Sequence, residues 1–302
     1  MAPDRSPRAG RRLVTGSTEP TEPTGQTDLA ESLTHLAARL ATEAGRAARD
    51  GRAARGIAAS ATKSTATDMV TEFDRASEAF IVAGLQQERP DDGIVGEEGA
   101  STEGTTGVSW LVDPIDGTTN FLYGLAGWGV SIAARQDGET IAAAVYLPAT
   151  DELFTATLGQ GARLNGEPIR CSTATALPLT LVATGFGYRP EQRAVQAARV
   201  AALLPQVRDL RRFGAASADL CYAAAGRVDA YFEENLGPWD IAAGELIARE
   251  AGCRTGGLDG GKARPSTLLA AAPGIFEPLR DLIARIDADL AAGRSAAVQP
   301  NR

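Results

Sequence analysis

The stretch WLVDPIDGTT, residues 110–119, places two carboxylates three positions apart, Asp113 and Asp116. Further acids stand in three other short segments. These are Asp68 and Asp74 in KSTATDMVTEFD, Glu97 and Glu98 in GEEG, and Asp240 in PWDIAAG. Each alone has a simpler reading. Asp68 or Asp74 can cap a helix starting near residue 74. Glu97 and Glu98 can form a solvated turn, and Asp240 suits a first helical turn behind Pro238. Asp113 resists such a reading, because it follows an apolar strand and an unpaired buried carboxylate is costly. If Glu97, Asp113, Asp116 and Asp240 converge, each pair about 4 Å apart repels by roughly 4 kcal/mol at an effective dielectric near 20. Such a cluster must take up protons or hold cations. Every donor in it is an oxygen, and hard oxygen donors favour Mg²⁺. The single histidine, His35, lies far off in sequence on the first helix.

The residues after Asp116 suit a phosphate. Gly117 permits a close backbone approach, and Thr118 and Thr119 can open a helix whose free N–H groups attract anions. Acids for a metal followed by amides for a phosphate indicate phosphate-ester chemistry. Residues three apart on a regular strand point to opposite faces. Both acids therefore serve one site only if the strand stops between them, and Pro114 is the expected stop.

The surrounding elements follow from periodicity. Asp28 with Glu31 resembles a capping box, and Leu29, Leu33, Leu36 and Leu40 mark one face of a helix reaching about Gly51. Residues 74–93 read as a second helix ended by Pro90 and Gly93. SWLVD, WGVSIAAR, ETIAAAVYL and ELFTATLG read as strands of a largely antiparallel sheet, broken by the turns QDGE and LNGE. Beyond about residue 175, TLVATGFG, a helix over 191–204, a loop and helix in RRFGAASADLCYAAAGR, the strand VDAYFEE and the helix PWDIAAGELIAREAG alternate as an α/β half. The expected organisation is a loose tail over 1–27, an α+β domain over 28–174, an α/β domain over 175–290 and a second loose tail over 291–302.

With 302 residues, 44% hydrophobic and 23% charged, the chain can bury a sizeable core. A net charge of −8 argues against nucleic-acid binding. No apolar run approaches the roughly 20 residues of a membrane span. Cys171, Cys221 and Cys253 are far apart and odd in number, forming neither a disulfide framework nor a zinc pattern. That indicates a reducing cytoplasm.

GEEG, DPIDGTTNF and WDIAAGELIAREAG resemble the signature segments of the inositol monophosphatase family, in order and spacing, over roughly residues 28–290. That family belongs to the lithium-sensitive, Mg²⁺-dependent phosphatases, which include fructose-1,6-bisphosphatase. The resemblance implies an αβαβα layered sandwich and a homodimer. It implies that Glu97, Asp113 and the Ile115 carbonyl hold a first Mg²⁺, and that Asp113, Asp116 and Asp240 hold a second. A third, weaker ion would use Glu97 and waters oriented by Asp68 and Asp74. Gly117 and Thr118 would bind phosphate, Thr118 and Glu97 would activate the attacking water, and Asp116, Ala216 and Glu233 would meet the alcohol. Lys63 matches a lysine beside a mobile loop that closes on the metals. Two departures stand out. Ala215 replaces a usual Ser or Thr, which could change one polar contact near the substrate. Cys253 replaces a common Gly, expected to affect only a turn.

The implied activity is hydrolysis of inositol monophosphate or a similar small polyol phosphate by metal-assisted in-line displacement. Histidinol-phosphate, fructose-1,6-bisphosphate and 3′-phosphoadenosine phosphatases are alternatives on nearly the same site. A regulatory, protein-binding role is the alternative from another class; its sequence mark would be a lost metal ligand, and none is lost.

Overall fold

The computed structural model describes residues 25–55, 61–62 and 69–298. In chain order the elements are α1 (Gly25–Arg55), β1 (Ala61–Thr62), β2 (Met69–Val70), α2 (Glu72–Glu88), β3 (Gly93–Gly96), β4 (Ser101–Thr102), β5 (Val108–Asp116), α3 (Thr118–Tyr123), β6 (Gly129–Gln136), β7 (Glu139–Leu147), β8 (Glu152–Thr157), β9 (Ala162–Leu164) and β10 (Glu167–Pro168). There follow β11 (Leu181–Thr184), α4 (Pro190–Leu203), β12 (Asp209–Arg211), α5 (Ala216–Ala224), β13 (Ala230–Glu233), α6 (Pro238–Glu250), β14 (Arg254–Gly256), β15 (Leu268–Ala271) and α7 (Phe276–Val298).

An eight-stranded sheet runs β10-β9-β8-β7-β6-β5-β3-β4, antiparallel apart from the β3–β5 pair. A five-stranded sheet runs β12-β11-β13-β15-β14, with β11 parallel to both its neighbours. The alternation of side chains along each strand builds the layers. On β7, Ala142, Ala144 and Tyr146 face α1 and α2, while Ala143, Val145 and Leu147 face α5 and α6. On the smaller sheet, Ala183, Tyr231 and Ala270 join that same central core, and Val182, Phe232 and Leu269 pack with α7 on the outside. The result is an αβαβα sandwich, with α5 and α6 between two sheets. Both faces of each sheet are covered, which is why the central strands read as near-continuous apolar runs.

Several boundaries differ from the sequence reading. The first helix begins at Gly25, so Asp28 sits in its first turn rather than capping it. The expected tail over 1–27 otherwise lies outside the described residues. At the other end α7 continues to Val298, into the stretch expected to be loose from 291. Its Ala-rich sequence has high intrinsic helix propensity, which outweighs the lack of apolar spacing there. The second helix is capped by Thr71, with Asp74 as the reciprocal partner of a capping box, and so starts two residues earlier than expected. The fold also brings Cys171 beside the turn that carries Cys253: the Cys171 N–H donates to the Ala251 carbonyl at 2.9 Å.

Candidate active site

The expected strand stop at Pro114 is absent. Strand β5 continues through Pro114, and its register against β6 shifts: Asp113 pairs with Ser131, but Asp116 pairs with Gly129. Three steps on β5 thus match two on β6, and the extra residue is a β-bulge. Ser131 and Gly129 share a parity, so the bulge turns both carboxylates toward the α5–α6 side. Proline suits the bulge because no ladder N–H is needed there. Its carbonyl accepts a bond from the Ser77 hydroxyl at 3.0 Å, and the Ile115 N–H donates to Asp113 Oδ1 at 3.1 Å.

The other acids arrive from separate elements. Parallel pairing of β3 with β5 carries Glu97 alongside Asp113, with its N–H donating to the Val112 carbonyl at 3.1 Å. Asp240 stands in the first turn of α6 behind Pro238, and its Oδ2 accepts the Gly237 N–H at 2.6 Å. Asp116 accepts the Ser217 N–H at 2.6 Å. This supplies from β5 a cap that Ala215, the residue before α5, has no side chain to make. The Ala215 departure is therefore compensated at a backbone donor.

These groups line one cavity of about 380 Å³, together with Ile115, Gly117, Thr118, Ala216 and Glu233. Burial pushes Asp113 well above the ordinary carboxylate range, reinforced by the charges of Glu97, Asp116 and Asp240. Burial and Asp116 do the same to Asp240. Asp116 is pushed up to about 6 by burial, against the opposing bonds from Ser217. Burial and mutual repulsion therefore favour uptake of protons or cations by the cluster. Among the described residues, no three His, Cys, Asp or Glu side chains close around a single point as a ready-made cage. The acids and Ile115 nonetheless line the same cavity. That donor set fits Mg²⁺, which keeps several waters and shares its remaining positions with substrate oxygens.

Gly117 adopts φ +85°, a left-handed conformation open mainly to glycine, and this starts α3 directly after the bulge. The Thr118 hydroxyl lies 3.1 Å from both Asp74 Oδ1 and the Ile115 carbonyl. Asp74 Oδ2 accepts the Thr71 N–H at 2.8 Å, so one buried carboxylate joins the start of α2 to Thr118. Glu233 also lines the cavity; it ends β13 and accepts the Tyr231 hydroxyl at 2.6 Å. Burial pushes Glu233 up to about 7, although the Tyr231 bond works the other way. A Cβ at Gly185 would overlap this carboxylate, so any larger residue there would displace Glu233 from its present position. Ala216, in the first turn of α5, also lines the cavity. The fold thus brings together Asp74, Glu97, Asp113, Ile115, Asp116, Gly117, Thr118, Ala216, Glu233 and Asp240. Lys63 and Asp68 lie outside the described residues. His35 is exposed on α1.

Sequence reasoning missed Ser77 and Glu78. Glu78 is buried, and its carboxylate accepts the N–H groups of Glu98 at 2.8 Å and Ala100 at 3.0 Å, which fixes the turn carrying Glu97. A signal existed: Asp74, Ser77 and Glu78 continue the stripe of Ile81 and Leu85 at helical spacing. A polar end on a buried stripe marks a face turned toward a polar site.

The chain is matched by the family model described as inositol monophosphatase family over residues 29–291. It is 44% identical over 231 residues to the Escherichia coli K12 protein named Nus factor SuhB, covering 76% of this chain and 86% of that one. It is 41% identical over 275 residues to the inositol-1-monophosphatase of Mycobacterium leprae, covering 86% and 93% of the two chains. Among solved structures, the extragenic suppressor protein suhB of Bartonella henselae superposes with a TM-score of 0.79 at 35% identity, covering 83% of this chain and 98% of that one. No described helix is long and apolar enough to cross a membrane. From its sequence, its layered fold and these likenesses, the chain belongs to the inositol monophosphatase family.

Proposed function

We propose that the protein is an Mg²⁺-dependent phosphomonoesterase that hydrolyses inositol monophosphate or a similar small polyol phosphate. One observation carries this reading. Four carboxylates from β5, α6 and the turn after β3 share a single cavity with the Gly117–Thr118 backbone and with Glu233. Family membership and the M. leprae relative's name support the same class of activity.

Glu97, Asp113, Asp116, Asp240 and the Ile115 carbonyl would hold Mg²⁺, which when bound supplies Lewis-acid activation of water and neutralises phosphoryl charge. The N–H groups of Gly117 and Thr118 would orient the phosphate oxygens. Thr118, backed by Asp74, and Glu97 would position the attacking water and take its proton. Glu233 and Asp116 would accept hydrogen bonds from the alcohol's hydroxyls beside Ala216. Lys63 and Asp68 would act behind these groups, and a homodimer in the cytoplasm is the expected form.

The experiment is phosphate release from inositol 1-phosphate, histidinol phosphate, fructose 1,6-bisphosphate and 3′-phosphoadenosine 5′-phosphate. The proposal expects the largest kcat/KM for the polyol ester; a larger value for another substrate would replace that assignment. The name Nus factor on the E. coli relative supports a second reading, a protein-binding role on the same scaffold. Absence of turnover on every substrate with Mg²⁺ present would favour it.

A further inference from the structure

We infer that Cys171 and Cys253 form a dithiol that a small disulfide oxidises reversibly to an intramolecular disulfide. Cys171 lies on the crossover between β10 and β11, and is half-buried. Cys253 lies between α6 and β14, and is 6% exposed. The Cys171 N–H donates to the Ala251 carbonyl at 2.9 Å, so the crossover is tied to the turn that carries Cys253. A Cβ built on Gly252 would stand 3.7 Å from Cys171 Sγ, so this sulfur already rests on that turn. The two thiols lie near enough to shift each other's titration. A disulfide requires Cα atoms about 4.4–6.8 Å apart, and a backbone hydrogen bond two residues from Cys253 holds the segments at close quarters.

The two sulfurs are inequivalent. The neighbouring Cys253 thiol holds the Cys171 thiol down at about 7, against the effect of burial. The proximity of Cys171, together with burial, pushes Cys253 up. A partly exposed sulfur with thiolate character beside a buried partner is the arrangement of an attacking and a resolving cysteine. Plain packing is the simpler reading, since both residues border the central core. Packing alone does not account for the inequivalence of the two sulfurs.

In the reaction the Cys171 thiolate attacks one sulfur of a small symmetric disulfide, RSSR. The S–S bond breaks and the first RS⁻ leaves. Cys253 sulfur then attacks Cys171 Sγ of the mixed disulfide, and the second RS⁻ leaves. The two thiol protons end on two RSH, the protein loses two electrons and the small disulfide gains them. The bond formed would fasten the crossover between the sheets to the end of α6, the helix whose first turn bears Asp240.

The test incubates the full chain with oxidised glutathione and reads intact mass, a non-reduced peptide map and thermal unfolding. The expected product is lighter by two hydrogen atoms, links the Cys171 and Cys253 peptides, and reverts with dithiothreitol. Its unfolding midpoint should rise by several degrees, because the link closes a long loop. Cys253→Ala should stop at one glutathione adduct on Cys171. Cys171→Ser, altered at the more accessible partner, should remain unmodified, because Cys221 and Cys253 are buried. A wild-type chain that accumulates a stable glutathione adduct, or that does not react, would overturn the proposal.

Discussion

Gly117→Ala tests the join between the bulge and the phosphate-binding turn. Gly117 sits at φ +85° and ψ 40°. An L-residue in that region costs roughly 1–2 kcal/mol. The added methyl would also stand 3.0 Å from Ala215 Cβ and 3.1 Å from the carbonyl oxygens of Gly127 and Gly214. Two of those neighbours are backbone and cannot swing aside, so overpacking adds about 1–2 kcal/mol. Together these give a loss of about 2–4 kcal/mol and a lower Tm by roughly 5–15 °C. The methyl also pushes on the residue just before Ala216 and Ser217, whose backbone holds Asp116. A displacement near 1 Å there should lower kcat/KM by about 100-fold. Gly138→Ala is the control: its φ is +83°, but a Cβ there meets nothing within 4 Å. It should cost only the dihedral penalty and leave turnover intact. Paired thermal unfolding and phosphate-release kinetics decide the matter. Equal Tm losses in the two variants, or unchanged kcat/KM for Gly117→Ala, would show that this turn neither packs against Ala215 nor supports Asp116.

Three further outcomes follow from the site and its supports. Asp113→Asn should lose turnover more completely than Asp68→Asn, which is expected to act through water and to cost about 10–100-fold; equal losses would contradict the roles assigned. Glu233→Gln should lower kcat/KM for inositol 1-phosphate by about 10–150-fold while sparing a simple aryl phosphate, since a hydrogen bond to a charged group is worth about 1.5–3 kcal/mol; parallel losses on both substrates would assign Glu233 to the metal site instead. Asp92 is 2% exposed and accepts bonds from Arg89 at 2.8 and 3.0 Å, Thr106 at 2.6 Å and Trp110 at 3.0 Å, so Asp92→Ala should cost about 3–5 kcal/mol in denaturant unfolding. Burial raises the Asp92 carboxyl, but bonds from Arg89, Thr106 and Trp110 outweigh it and hold the group below its ordinary range. A depressed folded pKa gives stability that is present above the unfolded value of about 3.9 and lost as pH falls through the folded one. The wild type should therefore lose stability more steeply than Asp92→Asn below about pH 4, and parallel acid limbs would remove Asp92 from the account.

The layered fold was legible because both faces of each sheet are buried and the intervening helices carry clear apolar stripes. The acids were legible as a set because Asp113 cannot be explained as a surface charge, and because DPIDGTTNF and the downstream WDIAAG occur in family order. What escaped depended on partners distant in sequence. A bulge and a strand end look alike around Pro114, since only pairing with Ser131 and Gly129 distinguishes them. Glu78 reads as one more helix charge until the turn at Glu98 and Ala100 is folded against it. Ala215 reads as a lost contact, yet Asp116 reaches the Ser217 N–H from another element. The meeting of Cys171 with Cys253 likewise has no local sequence mark.

Metal-dependent hydrolysis is tested by phosphate release from inositol 1-phosphate as a function of free Mg²⁺. No turnover is expected in excess EDTA, with saturable recovery on adding Mg²⁺, inhibition by millimolar lithium, and no recovery at any Mg²⁺ concentration for Asp113→Asn. Full activity in excess EDTA would contradict metal dependence.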